Sequence, residues 1–170
     1  GYYLLHAWLH AKIDAVTVAD LDGGAICWTK NLGHNLIKCA TVEFNDLVAH
    51  KFDNYWLDFW AAFTVPQSKR KGYNQMIGNL EKYTTPNGTA LEAVELNVPL
   101  PFFFSHDSGV ALPTAALPYN DMKVTVEFRN LSELLIYQTV LQNGSGETTV
   151  VSAANVVALP RLDANVVANY

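Results

Sequence analysis

The stretch LPFFFSHDSGVALPTAALPYNDMKVTVEFRNL, residues 100–131, decides the fold of this chain. Its last part alternates between apolar and polar residues, which is the period of a β-strand buried on one face. Before it, Pro113 and Pro118 bracket a short apolar turn, where the missing proline N–H would interrupt a sheet ladder. Three adjacent rings at 102–104 need cover on both faces, so we expect the strand that contains them to lie inside a layered β-structure. The alternating set is Met122, Val124, Val126 and Phe128 against Lys123, Thr125, Glu127 and Arg129.

The N-terminal part of the chain predicts three more strands. Residues 2–13 alternate and present one fully apolar face, with a turn to follow at 20–24. Residues 36–44 read as a strand, and 47–52 return as its hairpin partner across the turn Asn45-Asp46. The predicted apolar face of the first strand consists of Tyr3, Leu5, Ala7, Leu9, Ala11 and Ile13.

The hydrophobic period then changes to that of a helix. Four aromatic residues recur at i, i+3, i+4 and i+7, with Asp53 or Asn54 placed as N-cap and Pro66 ending the run. A stripe this bulky must pack on a sheet or on a neighbouring subunit, so we predict a subunit contact here. The stripe consists of Trp56, Phe59, Trp60 and Phe63.

Residues 67–90 are polar and predict a long excursion with one short helix at 73–80, a second candidate for subunit contact. Glu92 to Pro99 begins the aromatic strand. After 129 we expect a turn at 130–133, an apolar run at 134–141, a loop at 143–146, weak alternation at 148–157, a turn at 160–163 and a strand from 164. About eight strands without a βα repeat predict an all-β fold: an antiparallel eight-stranded jelly-roll sandwich with a short helical excursion.

Several long segments carry a family resemblance. Residues 28–38 (WTKNLGHNLIK), 52–60 (FDNYWLDFW), 72–79 (GYNQMIGN) and the stretch 100–131 occur in the order expected of a known family. They resemble the double jelly-roll major capsid proteins of large nucleocytoplasmic icosahedral double-stranded DNA viruses. The resemblance covers roughly residues 1–135 and matches the first, N-terminal jelly roll.

The resemblance implies a structural virion protein that is not an enzyme and needs no cofactor. Its partners would be itself, as a homotrimer of pseudo-hexagonal outline, neighbouring capsomers that tile an icosahedral shell, and minor capsid proteins. It implies a capsid assembled in the host cytoplasm over an internal viral membrane. Residues 1–170 would then be most of the first of two jelly rolls, and we expect the natural polypeptide to continue on both sides.

Composition agrees with a protein that is covered by copies of itself. The chain is 50% hydrophobic and only 16% charged, below the roughly 25% charge of ordinary soluble domains. A large, well-packed core would explain the same composition, and both interpretations stay open. The net charge of −5 argues against direct nucleic-acid binding, and the run Lys69-Arg70-Lys71 is typical of a solvated loop. No apolar run approaches the ~20 residues of a membrane helix, and no signal-peptide pattern occurs.

The sequence offers little catalytic or metal chemistry. His6 and His10 lie on one side of a strand, roughly 13 Å apart, too far to share a metal ion. His34, His50 and His106 stand alone and are interpreted as surface or structural histidines. The adjacent His106-Asp107-Ser108 has the residue types of a triad in the wrong geometry and reads as a turn. Cys27 and Cys39 are interpreted as free buried thiols.

Two rival functions remain open at this point. One is a carbohydrate-binding β-sandwich module, which the aromatic content permits. The other is a β-sandwich hydrolase in which Glu95 and Glu127 face each other as a carboxylate pair. Sequons at Asn87, Asn130 and Asn143 are weak patterns, but Asn87 and Asn143 fall in predicted loops and are candidate glycosylation sites.

Overall fold

The chain folds mainly into antiparallel β-strands. The structure, a computed structural model, describes residues 3–17, 25–88, 90–117, 121–138 and 160–169. The strands in these residues are β1 (Tyr3–Leu4), β2 (His6–Ile13), β3 (Val16–Thr17), β4 (Ala25–Trp28), β5 (Ile37–Phe44), β6 (Leu47–Phe52), β7 (Ala90–Leu91), β8 (Val94–Leu100), β9 (Leu112–Pro113), β10 (Met122–Phe128), β11 (Leu135–Gln138) and β12 (Leu162–Asn169). Eight of these strands have four or more residues, which agrees with the predicted count.

The helices in the described residues lie between the strands. They are α1 (Leu32–Leu36), α2 (Asn54–Thr64), α3 (Gln67–Met76), α4 (Glu81–Thr84) and α5 (Leu131–Leu134), with 3₁₀ turns at Phe103–Ser105, Ser108–Val110 and Thr114–Ala116. None of the helices in the described ranges combines the length and the apolar character needed to cross a membrane.

Two three-stranded sheets form the two layers of a sandwich. One has the order β12–β2–β8 and the other β10–β5–β6, and every pairing is antiparallel. The described residues also form three two-stranded sheets, β1–β9, β11–β4 and β3–β7. The predicted antiparallel sandwich is confirmed.

The core lies between the inner faces of the two sheets. Alternate residues of β2 and β8 pair across the first sheet, so that Leu9 lies opposite Val98 and Ala11 opposite Leu96. Val42 of β5 belongs to the same buried cluster, with Met122, Val124 and Val126 of β10 packed against it. The period-2 patterns of the sequence therefore mark one common core.

The hairpin prediction is confirmed in detail. β5 and β6 pair antiparallel around Asn45 and Asp46, whose φ angles are 50° and 63°, with one shift in register between Val42 and Glu43. A two-residue hairpin turn of this hand needs left-handed backbone at both central residues, and Asn and Asp tolerate it better than other non-glycine residues.

Three predicted elements are wrong in their position. The rings at 102–104 do not continue β8 but form a 3₁₀ turn, Phe103–Ser105, because Pro101 follows the last strand residue and lacks the N–H of a ladder. The predicted helix at 73–80 is the longer and earlier α3, which also contains the basic run Lys69-Arg70-Lys71 predicted as a loop. α3 buries none of its residues, so it has no apolar stripe from which periodicity could locate it.

The first strand is also interrupted. Tyr3 is exposed and Leu4 is buried, because β1 pairs with β9 and the chain changes partner at Leu5 before β2 begins. From Ala7 to Ile13 the predicted apolar face is correct. The predicted turn at 20–24, the loop at 143–146 and the alternation at 148–157 lie outside the described residues, as do residues 139–141 of the apolar run.

Helix α1 is not among the elements predicted from the sequence. It depends on the close packing that Gly33 allows. Gly33 donates its backbone N–H to the carbonyl oxygen of Ile77 at 2.8 Å. A Cβ on Gly33 would lie 2.6 Å from Val98 Cγ2 and 3.1 Å from that oxygen. Only glycine allows α1, β8 and the end of α3 to approach this closely.

We therefore expect Gly33→Ala to lower the free energy of unfolding by about 1–3 kcal/mol through overpacking. The matched control is Gly72→Ala in α3, where a Cβ meets nothing within 4 Å. Better helix propensity should make the control variant more stable by about 0.5–1 kcal/mol. Denaturant titration of the two variants measures both changes, and equal effects would contradict the packing described here.

Candidate functional site

Helix α2 is positioned by a cap and by a small inner face. The side chain of Asp53 accepts a hydrogen bond from the backbone N–H of Trp56 at 2.9 Å, as an N-cap should. The residues that α2 buries are Asn54, Leu57 and Ala61. These are not the predicted aromatic stripe, so the helix attaches to the sandwich by its other side.

The two phenylalanines of the aromatic stripe face outward, and its two tryptophans are partly covered by the chain itself. Phe59 is 56% exposed and Phe63 is 78% exposed, while Trp56 and Trp60 are half-buried. Tyr55, which the sequence analysis did not select, is 75% exposed one turn before Phe59. We call these five residues, Tyr55, Trp56, Phe59, Trp60 and Phe63, the aromatic ridge.

The rings of the aromatic ridge are ordered against one another. Trp56 and Trp60 stack with ring centroids 5.7 Å apart and planes at 23°. Phe59 and Phe63 stack at 6.1 Å and 13°. Pre-ordered rings lose little side-chain freedom when another surface covers them, which suits a contact site.

Trp60 also forms the wall of a groove beside α2. Its ring lies 4.8 Å from that of His106 and, with Trp8, it lines a cavity of about 340 Å³. A second cavity of about 210 Å³ continues past Trp60 towards Tyr73. The surface next to the aromatic ridge is therefore concave and mostly apolar.

A buried histidine connects α2 to its neighbours. His34 of α1 is 1% exposed, and its Nδ1 lies 2.5 Å from Asp58 Oδ1 of α2. Its Nε2 lies 2.7 Å from the hydroxyl of Tyr73 in α3. Since a carboxylate only accepts, Nδ1–H donates to Asp58 and Nε2 accepts from Tyr73. One imidazole thus joins three helices.

This network is a structural link and does not have the properties of a catalytic triad. The order carboxylate, imidazole, hydroxyl is that of a hydrolase, but the hydroxyl belongs to a phenol. Burial raises the pKa of Tyr73 to about 12, which makes the proton harder to remove. Burial also lowers the pKa of His34, against the opposing influence of Asp58.

The other residues considered for chemistry do not meet. Glu95 of β8 and Glu127 of β10 point away from the core on opposite layers, so they cannot form a carboxylate pair. The ring of His106 faces Trp60, and Ser108 begins a 3₁₀ turn. In the part of the chain that the structure describes, no three His, Cys, Asp or Glu side chains are grouped so as to hold a metal ion. Cys27 and Cys39 are free and buried, as predicted.

One candidate glycosylation site lies in the described residues. Asn87 is exposed, and its backbone exchanges two hydrogen bonds with Ile26, at 2.8 and 2.9 Å. Asn143 lies outside the described residues. Glycosylation at either position stays a prediction, which the intact mass of the natural protein would test.

The outer face of the sheet β12–β2–β8 carries a polar ladder centred on His10. Its Nε2 lies 2.8 Å from Glu95 Oε1, and its Nδ1 lies 3.2 Å from Asn165 Oδ1. The hydrogen bond to Glu95 raises the pKa of His10 above 6.5. The pair stabilises the fold fully below that pH, and the contribution is lost as the pH rises through the raised pKa.

We expect Glu95→Gln to return the titration of His10 towards 6.5 and to remove this pH dependence. The pair is exposed to solvent, so the effect on stability should be small while the effect on the titration is clear. Titration of the histidine ring signals by NMR measures the shift. An unchanged His10 titration in the variant would contradict the hydrogen bond seen here.

The sequence as a whole matches a family model described as the N-terminus of the major capsid protein, over residues 1–170. This chain belongs to the major capsid protein family. Major capsid proteins are structural proteins, which agrees with the expectation that the chain is not an enzyme. Membership also favours the capsid interpretation over the carbohydrate-binding module.

Relatives in the major capsid protein family come from iridescent viruses and related viruses. The major capsid protein of Simulium iridescent virus is 51% identical over 180 residues, covering 100% of this chain and 38% of its own length. That of Lymphocystis disease virus 1 is 52% identical over 145 residues, covering 81% of this chain and 31% of the relative. That of Frog virus 3 is 40% identical, covering 98% of this chain and 38% of the relative. The chain therefore spans between 31% and 38% of the length of these relatives.

Solved structures support the same fold. The crystal structure of PBCV-1 VP54, fitted into a cryo-EM reconstruction of the virophage Sputnik, has a TM-score of 0.66 at 23% identity, covering 99% of this chain and 35% of that one. The Faustovirus major capsid protein has a TM-score of 0.67 at 13% identity, covering 98% of this chain and 50% of that one. The predicted jelly-roll class of this capsid protein chain is confirmed.

Proposed function

We propose that this chain is the first of two jelly rolls in a major capsid protein whose homotrimers tile an icosahedral shell. Three copies of a two-domain chain place six similar sandwiches around an axis, which gives the pseudo-hexagonal outline that close-packed tiling needs. Major capsid proteins assemble with themselves into capsids, and family membership therefore supports copies of the same protein as the main partner.

The observation that carries the proposal is the aromatic ridge. Monomeric soluble proteins rarely expose large contiguous apolar patches, and such patches mark interaction sites. Here Tyr55, Phe59 and Phe63 are each more than half exposed on one helix and do not belong to the core, whereas Trp56 and Trp60 are half-buried against the chain. We assign the aromatic ridge to contact with a neighbouring subunit.

The composition of α2 and α3 fits an interface with an apolar centre and a polar rim. Interfaces concentrate aromatic residues at the centre and exclude charge from it. The aromatic ridge contains no charged residue, while the adjoining α3 exposes Lys69 and Lys71. The 67–90 excursion, predicted as a second subunit contact, is the proposed source of the rim contacts.

Further parts of the proposal rest on the resemblance alone. The shell overlies an internal viral membrane, minor capsid proteins join the capsomers, and assembly takes place in the host cytoplasm. The net charge of −5 supports the absence of direct contact with nucleic acid, since a nucleic-acid face requires clustered positive charge.

Native mass spectrometry of the full-length product tests the proposal. We expect three copies per particle and, in negative-stain images, particles with a hexagonal outline. A monomer at micromolar concentration would contradict the proposal. So would a monomeric product that binds glycans in a soluble assay.

A further inference from the structure

The surface proposed for assembly is held in place by a titratable group that assembly itself does not use. Asp58 lies on the same helix as the aromatic ridge and faces His34. Asn31 donates from Nδ2 to the same Asp58 oxygen at 3.1 Å. The imidazole between Asp58 and Tyr73 therefore determines how α2 is fixed to α1 and α3.

Burial favours the neutral form of this imidazole. In that form Nδ1–H donates to Asp58 and Nε2 accepts from the hydroxyl of Tyr73. A proton on Nε2 would reverse the second bond, since the phenol oxygen can also accept. It would also place a positive charge at a site that is 1% exposed. The cost of burying that charge opposes protonation in the folded protein.

The charged residues around His34 do not fully offset the cost of burying a positive charge on its imidazole. Asp58 faces it from α2, and Arg70 lines the same cavity from α3, together with the uncharged phenol of Tyr73. Beyond α1, Arg129 donates to the backbone oxygen of Asn35 and pairs with Glu133 of α5. The charged residues of the strands that also pack on α1 are Lys38 and Glu43 of β5 and Glu95 of β8, none of them buried.

A second link between α1 and α2 does not titrate in the same range. Asn54 of α2 is buried and donates to Asn35 Oδ1 at 2.9 Å. Arg129 donates to Asn54 Oδ1 at 3.4 Å. Arginine stays charged at all relevant pH values. This link keeps the N-terminal end of α2 in place when the histidine link is lost.

We propose that the attachment of α2 to α1 and α3 is acid-sensitive. Protonation of His34 releases the middle of α2, together with the aromatic ridge, and weakens the contact between copies. The inference rests on the proposed function, because it names the regulation of the same surface. The lowered pKa of His34 gives the direction: the link is complete above pH 6.5, and its contribution is lost as the pH falls through the lower, folded-state value.

Hydrogen exchange of the full-length protein at pH 7.5 and pH 5.0, read by mass spectrometry and corrected for intrinsic rates, tests this. In the wild type we expect protection of α2 and α3 peptides to fall at the lower pH by up to about thirtyfold, because pH 5.0 lies about 1.5 units below the ordinary histidine pKa of 6.5. His34→Gln should be less protected at both pH values and lose the pH dependence. The control His10→Gln, a change on the outer face of the sheet, should keep the wild-type dependence.

Equal α2 protection of the wild type at the two pH values would overturn the proposal, and so would an unchanged pH dependence in His34→Gln. If His34→Gln does not fold, the wild-type comparison alone decides, because equal protection of α2 at the two pH values would still overturn the proposal. Native mass spectra at both pH values separate the two proposals. A monomer at pH 7.5 contradicts the assembly role, whatever α2 does. Trimers that remain at pH 5.0 while α2 loses protection contradict the coupling of His34 to assembly.

Discussion

Replacing Phe59 and Phe63 together with serine is expected to abolish trimer formation and leave the jelly roll folded. Both rings are more than half exposed, stack on each other and do not belong to the buried core. Burying a phenylalanine ring contributes roughly 1.5–3 kcal/mol. Two rings per contact then correspond to about 3–6 kcal/mol, or roughly 10²- to 10⁴-fold in the dissociation constant.

The matched control is the double variant Val48→Ser and Val110→Ser. These side chains are 53% and 48% exposed and lie outside the aromatic ridge, so trimers should form normally. Sedimentation velocity over a concentration series, with circular dichroism to verify folding, measures both variants. A folded ridge variant that assembles with wild-type affinity would remove the aromatic ridge from the interface.

Phe104→Ala is expected to lower the free energy of unfolding by about 3–5 kcal/mol, the cost of a large cavity in a closed core. Phe104 is fully buried and stacks on Phe102 with centroids 5.5 Å apart. Its sequence neighbour Phe103 is 38% exposed and touches Phe104 edge-on at 5.3 Å. Phe103→Ala should therefore cost only about 0.5–1.5 kcal/mol.

Denaturant titration of these two variants distinguishes the 3₁₀ turn from the continued strand that the sequence suggested. In a strand with both faces covered, the two substitutions would be about equally destabilising. A large and equal loss would contradict the turn, whereas the described structure requires a large difference between adjacent residues.

The elements predicted correctly from the sequence are those whose residue pattern has a local cause, such as one-sided burial or a backbone preference. β2 buries one face and β10 half-buries one, so alternation locates both strands, and Asn45-Asp46 predicts its turn by backbone preference. Phe128, predicted on the apolar face of β10, follows a shift in register and is 37% exposed. α2 was located because its aromatic spacing and its Asp53 cap agree.

Other elements depend on tertiary structure and left no periodic pattern. α3 is mostly polar and buries no residue, so periodicity does not locate it, and its position depends on contacts with β8. α1 exists because Gly33 fits between Val98 and Ile77, which are distant in sequence. His34 was interpreted as a solitary histidine, since its partners lie 24 and 39 residues away. The outward direction of the aromatic ridge was likewise one of two alternatives until the inner face of α2 was known.

A cryo-EM map of the assembled full-length protein tests the central claim most directly. If copies join through the aromatic ridge, the rings of Tyr55, Phe59 and Phe63 will be covered by a neighbouring subunit in the particle. A map that shows these rings in solvent on an assembled particle would contradict the account, because another surface would then hold the copies together.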